Sequence, residues 1–257
     1  MRILSRTFLA AALLGLAAGG AFAQCACSGW PDPFRGKPEA ERTAIWTQIL
    51  KDTSRMLEGW EDALAAGKSS KETVGIGEDT KAAWRSVLDC FAYHPPVGYA
   101  KDDTWFDETV KVAAAFDAAC LTTRNGQPAA EVLRLLHEAR ACVARLRQTN
   151  KCATMGDAAE LLLPLLDGIE QQTVPDQLKA YSQAFGRQLA VLRAAHTPAA
   201  AKGEPVHYEQ AKAAAAKSLE RLQSVVEAGD TAQVKAAVRE ARKALGTLYD
   251  HYGRDLI

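Results

Sequence analysis

One methionine and three histidines stand out as residues whose types and spacing could do chemistry: Met155, His196, His207 and His251. Thioether and imidazole are ligands for haem iron and copper, and imidazole also suits zinc. A second set is the six cysteines, Cys25, Cys27, Cys90, Cys120, Cys142 and Cys152. None of them forms a Cys-x-x-Cys pair, so the usual dithiol and zinc-ribbon signatures are missing, and covalent c-type haem attachment is excluded with them. The chain also lacks His-Glu-x-x-His, Gly-x-Ser-x-Gly and a Gly-rich phosphate loop. The pairs Glu78-Asp79, Asp102-Asp103 and Asp107-Glu108 fall at helix starts, where carboxylates stabilise the dipole. No catalytic residue is assigned, and the reading leans away from an enzyme.

Which of these side chains can meet depends on compartment and on the elements that carry them. Arg2 and Arg6 precede an apolar run from Thr7 to Ala21, and Ala21-Phe22-Ala23 supplies small residues at the cleavage-determining positions. Residues 1–23 therefore read as a secretory signal peptide cut before Gln24, which sends the mature chain to the periplasm or outside the cell. No later stretch approaches twenty apolar residues, so no transmembrane segment is expected in the mature chain. All six cysteines survive cleavage into an oxidising compartment, where disulfides persist. The 257 residues carry 31 basic and 31 acidic side chains. Loss of Arg2 and Arg6 leaves about two more acids than bases, and no long basic run exists to bind nucleic acid.

The body reads as all-α, two tandem up-and-down four-helix bundles. Residues 24–38, with Pro31, Pro33 and Pro38, form an extended N-terminal arm. Residues 39–150 make the first bundle and residues 151–257 the second. In the first, Trp46, Leu50, Thr53, Leu57, Trp60 and Leu64 mark one helix face. A second helix covers about 78–93, a third starts at Thr104, and an Asn125-Gly126 turn precedes a fourth opened by Pro128. In the second, Thr154 caps a helix with Met155, Leu162, Leu166 and Ile169 inward and a kink expected at Pro164. One helix then carries Leu178, Tyr181, Phe185, Leu189 and Leu192. Another carries Tyr208 to Val226 and ends at Gly229, and Asp230 caps the last. The halves align at an offset of 102, which sets His94 on His196, Phe106 on Tyr208, and Glu138-Ala139-Arg140 on Glu240-Ala241-Arg242. This matching supports an internal repeat.

Up-and-down topology puts the starts of odd helices and the ends of even helices together. Cys25, Cys27, Cys90 and Cys152 then share one end of the first bundle, with Cys142 two turns inside. Cys120 lies near the other end, roughly 14 Å from the level of Cys142, too far for a disulfide. Cys90 is expected to pair with Cys142 or Cys152, each bridge adding about 2–4 kcal/mol. Cys25 and Cys27 either close onto the same end or hold a soft metal. In the second bundle Met155, His196, His207 and His251 all reach one end, with Tyr208, Tyr249 and Tyr252 beside them. His196 and His251 also sit where a cationic imidazole would cap a helix C-terminus.

Residues 154–254 resemble the soluble periplasmic cytochrome b562 family, related in fold to cytochrome c prime. The matching stretches are Met155 ahead of Leu162-x-x-x-Leu166-x-x-Ile169, and Val234-Lys235 leading to Tyr249-Asp250-His251-Tyr252-Gly253-Arg254. The resemblance implies haem b held noncovalently between Met155 and His251, for electron transfer with a redox partner. Two further readings stand beside it. One is a cofactor-free bundle acting by contact with a periplasmic protein, its Trp-rich first half serving as core or docking face. The other is a copper or zinc site on His196, His207, His251 and Met155.

Overall fold

A computed structural model describes residues 36–91, 103–150, 152–195 and 205–252. The proposed signal peptide, most of the N-terminal arm, Cys25, Cys27, Trp30, His94 and His196 lie outside the described residues. Every regular element among the described residues is helical: α1 Glu39–Ala65, a 3₁₀ turn Ser70–Thr73, α2 Val74–Phe91, α3 Asp103–Arg124, α4 Ala129–Thr149, α5 Met155–Glu170, α6 Pro175–Lys179, α7 Ser182–Ala194, α8 Pro205–Ala228 and α9 Val234–Tyr252. None of these helices is long and apolar enough to cross a membrane.

The helix ends follow from local chemistry. Gly67, Gly126 and Gly229 all have positive φ, at +84°, +66° and +69°. Each closes a Schellman-type cap, as in Gln127 N–H to Thr122 O at 3.1 Å with Gly126 N–H to Thr123 O at 3.0 Å. Asp230 Oδ1 accepts from the backbone N–H groups of Ala232 and Gln233, both at 3.1 Å, ahead of α9.

One expected helix is two. The stretch bearing Leu178 to Leu192 breaks at Ala180-Tyr181 into α6 and α7. A Cβ on Gly168 of α5 would fall 2.7 Å from the Tyr181 ring. The Tyr181 ring, beside the break, lies against α5 where no side chain stands. The helix α5 runs on through Pro164.

The chain divides into two units between Leu146 and Arg147. In the first, α3 packs on α2, and α1 on α2. Its core is indole-rich: Trp46, Trp60, Trp84 and Trp105 are all at most 2% exposed. These four tryptophans are thus core rather than a docking face. Trp46 and Trp105 meet edge to face with centroids 4.8 Å apart, and Trp84 meets Phe116 at 6.3 Å. The indole N–H groups of Trp60 and Trp84 donate to Thr73 Oγ1 and Thr109 O, each at 3.1 Å. Arg140 of α4, buried, reaches back to Glu58, at 3.7 Å, and Glu61 on α1.

In the second unit α5 packs on α7 and α9, and α8 packs on α7, α9 and α6. One apolar core runs from Met155 through Leu162, Phe185, Tyr208, Leu219 and Val238 to Leu248. Here Arg242 of α9 reaches back to Asp167 and, at 3.0 Å, to Glu170 of α5.

Candidate functional site

The start of α5 positions Met155. Thr154 Oγ1 accepts from the Asp157 N–H at 3.4 Å, while the Asp157 carboxylate accepts from the Thr154 N–H at 2.7 Å and its hydroxyl at 2.9 Å. This reciprocal capping box fixes the helix start one residue before Met155. Met155 is wholly buried, and every residue from Met155 to Leu162 is buried with it, Asp157 and Glu160 included. The first two turns of α5 are therefore covered on all sides, although the sequence reads as a single apolar stripe.

Two polar contacts make that burial tolerable. Arg147 Nε lies 3.0 Å from Asp157 Oδ2, both side chains under one-tenth exposed. Burial pushes the Asp157 carboxyl above the usual carboxylate range, against the opposing pull of Arg147 and of the Thr154 donors. The Arg147 guanidinium also donates to Cys152 O at 3.4 Å, and the Cys152 N–H donates to Arg147 O at 2.9 Å. Glu160 accepts from the Tyr249 hydroxyl at 2.6 Å.

That last contact settles which helix ends meet. Arg242 pairs with Asp167 and Glu170, while Tyr249, further along α9, bonds to Glu160, further back on α5. The two helices run antiparallel, so the end of α9 lies beside the start of α5. Met155 is five residues before Glu160 and His251 two after Tyr249, both toward the same end. At about 1.5 Å per residue their backbones stand within roughly 5 Å of one level. His251 lies in the last turn of α9, and its side chain is outside the described residues.

Tyr208, in the first turn of α8, is wholly buried in the same core as Met155. Burial, with the charge of Glu209, pushes its hydroxyl up to about 12. Lys212 lies 5.8 Å over the Tyr208 ring and donates to Ala195 O at 2.8 Å, satisfying a carbonyl at the end of α7. Its neighbour His207 is exposed. Met155 and His207 therefore do not face one another, and among the described residues no cluster of His, Cys, Asp and Glu could hold a metal.

Cys120, Cys142 and Cys152 are free thiols, the first two buried. No bridge to Cys142 or Cys152 is present here, and the Cys90 side chain lies outside the described residues. Burial pushes the Cys120 thiol up to about 11, with Glu78 adding to the effect. It also raises that of Cys142, against the opposing charge of Arg145, whose Nη2 lies 3.1 Å from the sulfur. Both thiols are protonated at neutral pH and poor nucleophiles.

Sequence reasoning missed Arg147, Asp157 and Glu160. The available signal was the capping box itself, Thr154 followed three residues later by Asp157, with a second acid one turn on. Comparison with models of known families, with curated proteins and with solved structures found no match.

Proposed function

We propose that this is an exported electron-transfer protein built from two tandem up-and-down four-helix bundles on one repeated plan, of which the second holds haem b noncovalently between Met155 and His251. The observation that carries the haem reading is the Tyr249–Glu160 hydrogen bond, which brings the start of α5 and the end of α9 to one end of the unit. Matching arginine contacts support the repeated plan: in each unit an arginine of the last helix pairs with two acids one turn apart on the first.

Thioether and imidazole are donor types that haem iron takes. Met155 offers a thioether from within a hydrocarbon core that excludes water, and thioether–imidazole ligation raises the potential of haem iron. Tyr208 supplies a buried aromatic face in the same core, and Tyr249 pins the helix that carries His251. Haem b, when bound, supplies a one-electron carrier. The chain's own contribution is to hold the two donor-bearing helix ends together and dry. A periplasmic redox partner follows from that chemistry.

The test is the visible spectrum of the exported protein produced with ample haem. A Soret band is expected, and both Met155→Leu and His251→Ala should lose it or shift it strongly. A band unchanged in both variants would overturn the ligand assignment. A second reading, a cofactor-free bundle acting by contact, draws on the full burial of Met155 and Tyr208 in one continuous core. No Soret band, with no copper or zinc by elemental analysis, would favour it.

A further inference from the structure

The arginine contacts fix a structural register between the units that differs from the uniform offset of 102. Glu58 and Glu61 of α1 correspond to Asp167 and Glu170 of α5. Counting back twelve residues from Glu58 and from Asp167 gives Trp46 and Met155. The intervening inward positions agree, Leu50 with Ala159, Leu57 with Leu166 and Trp60 with Ile169, all fully buried. For α3 and α8 the left-handed glycines that end them, Gly126 and Gly229, give the register. Twenty-one residues before them stand Trp105 and Tyr208. Phe106 at 40% exposure is not the counterpart of the wholly buried Tyr208, whereas Trp105 at 2% is.

We infer that Trp46 and Trp105 fill, in the first unit, the interior positions that Met155 and Tyr208 occupy in the second, so that the chain has one haem position, the first unit carrying an indole where the second carries the thioether. The identity of the ligand rests on the haem reading above; the equivalence of the two positions does not. In the first unit two indoles meet edge to face at 4.8 Å, wholly shielded from solvent. Neither can ligate iron, and together they exceed the volume of a thioether side chain and a phenol. In the second unit the smaller pair leaves the interior with a soft donor and one aromatic face.

Two measurements test this on the full exported chain. Haem titration should saturate at one equivalent, and Met155→Leu should lose that equivalent or shift its band strongly. Saturation at two equivalents, or one equivalent persisting with an unshifted band in Met155→Leu, overturns the inference while leaving haem binding itself intact. The second measurement needs no haem. Met155→Trp with Tyr208→Trp installs the first unit's pair in the second. A control, Leu166→Trp with Phe185→Trp, adds a similar volume at two buried positions outside the pair, one of them where the first unit carries Leu57. The matched swap should lower Tm by no more than half the fall in the control. An equal or larger fall shows that the positions are not equivalent and sinks the inference. If the wild type takes no haem, the haem reading fails, and the swap still decides the equivalence.

Discussion

The Arg147–Asp157 pair is the most exposed of the chain's features to a direct energetic test, because both partners are buried. Burial disfavours the Asp157 carboxylate and Arg147 opposes that penalty, so the folded carboxyl titrates above its unfolded value of about 4. An acid whose folded value is raised binds its proton more tightly when folded. Its contribution to stability is greatest below the unfolded value and declines as pH rises from there to the folded one. Arg147→Met removes the opposing charge and raises the folded value further. At pH 7 the variant should be destabilised by about 3–5 kcal/mol, as when one partner of a buried pair is removed. The deficit should shrink as pH falls toward 4.5, where the carboxyl can protonate. Urea unfolding followed by circular dichroism at both pH values checks this, and a deficit unchanged by pH would contradict it. This pair was not legible in the sequence. An acid in a first helical turn reads as dipole compensation, and only its neighbours in space reveal that it is buried.

Elements were more legible than residues, and turn chemistry explains why. The two left-handed glycines that end α3 and α8 are the same device with different surroundings. A Cβ on Gly126 would lie 2.6 Å from Lys71 Cε, the far end of a flexible side chain that can swing away. On Gly229 it would lie 2.9 Å from Lys179 Cε and 3.0 Å from Pro175 Cβ, and the proline ring cannot move without shifting α6. Placing alanine in the left-handed region costs roughly 1–2 kcal/mol by itself. Both substitutions should destabilise, Gly229→Ala the more; equal midpoints in urea would show that Pro175 yields as readily as Lys71. Stripes such as Trp46, Leu50, Leu57 and Trp60 were readable because helical periodicity survives in the sequence, and all four are buried. The α6–α7 break was not readable, since the Tyr181 ring beside it lies on Gly168, residues apart in sequence and adjacent only in the folded unit. The offset of 102 set Phe106 on Tyr208, yet Phe106 is 40% exposed while Tyr208 is wholly buried.

At the scale of the whole molecule, similar arginine contacts need not have the same energetics. Arg140 and Arg242 each join the last helix of a unit to two acids on its first. Their surroundings differ: the Arg140 side chain is 8% exposed with Glu61 at 12%, while the Arg242 side chain is 35% exposed with Asp167 at 58%. In the first unit, removing the arginine strands acids that water reaches poorly. In the second, solvent takes over most of what the arginine did. Arg140→Met should therefore cost about 3–5 kcal/mol, in the range for breaking a buried pair. Arg242→Met should cost about 0–1 kcal/mol, the range for exposed pairs. All five tryptophans precede residue 106, so fluorescence excited selectively at tryptophan follows the first unit alone, while the far-ultraviolet helix signal follows both. Denaturant titration with both probes should show Arg140→Met lowering the fluorescence midpoint strongly. Arg242→Met should leave the fluorescence midpoint in place and shift the helix signal only slightly. Equal and large losses in the two variants would mean that the exposed contact is as costly to remove as the buried one, and that solvent does not replace Arg242.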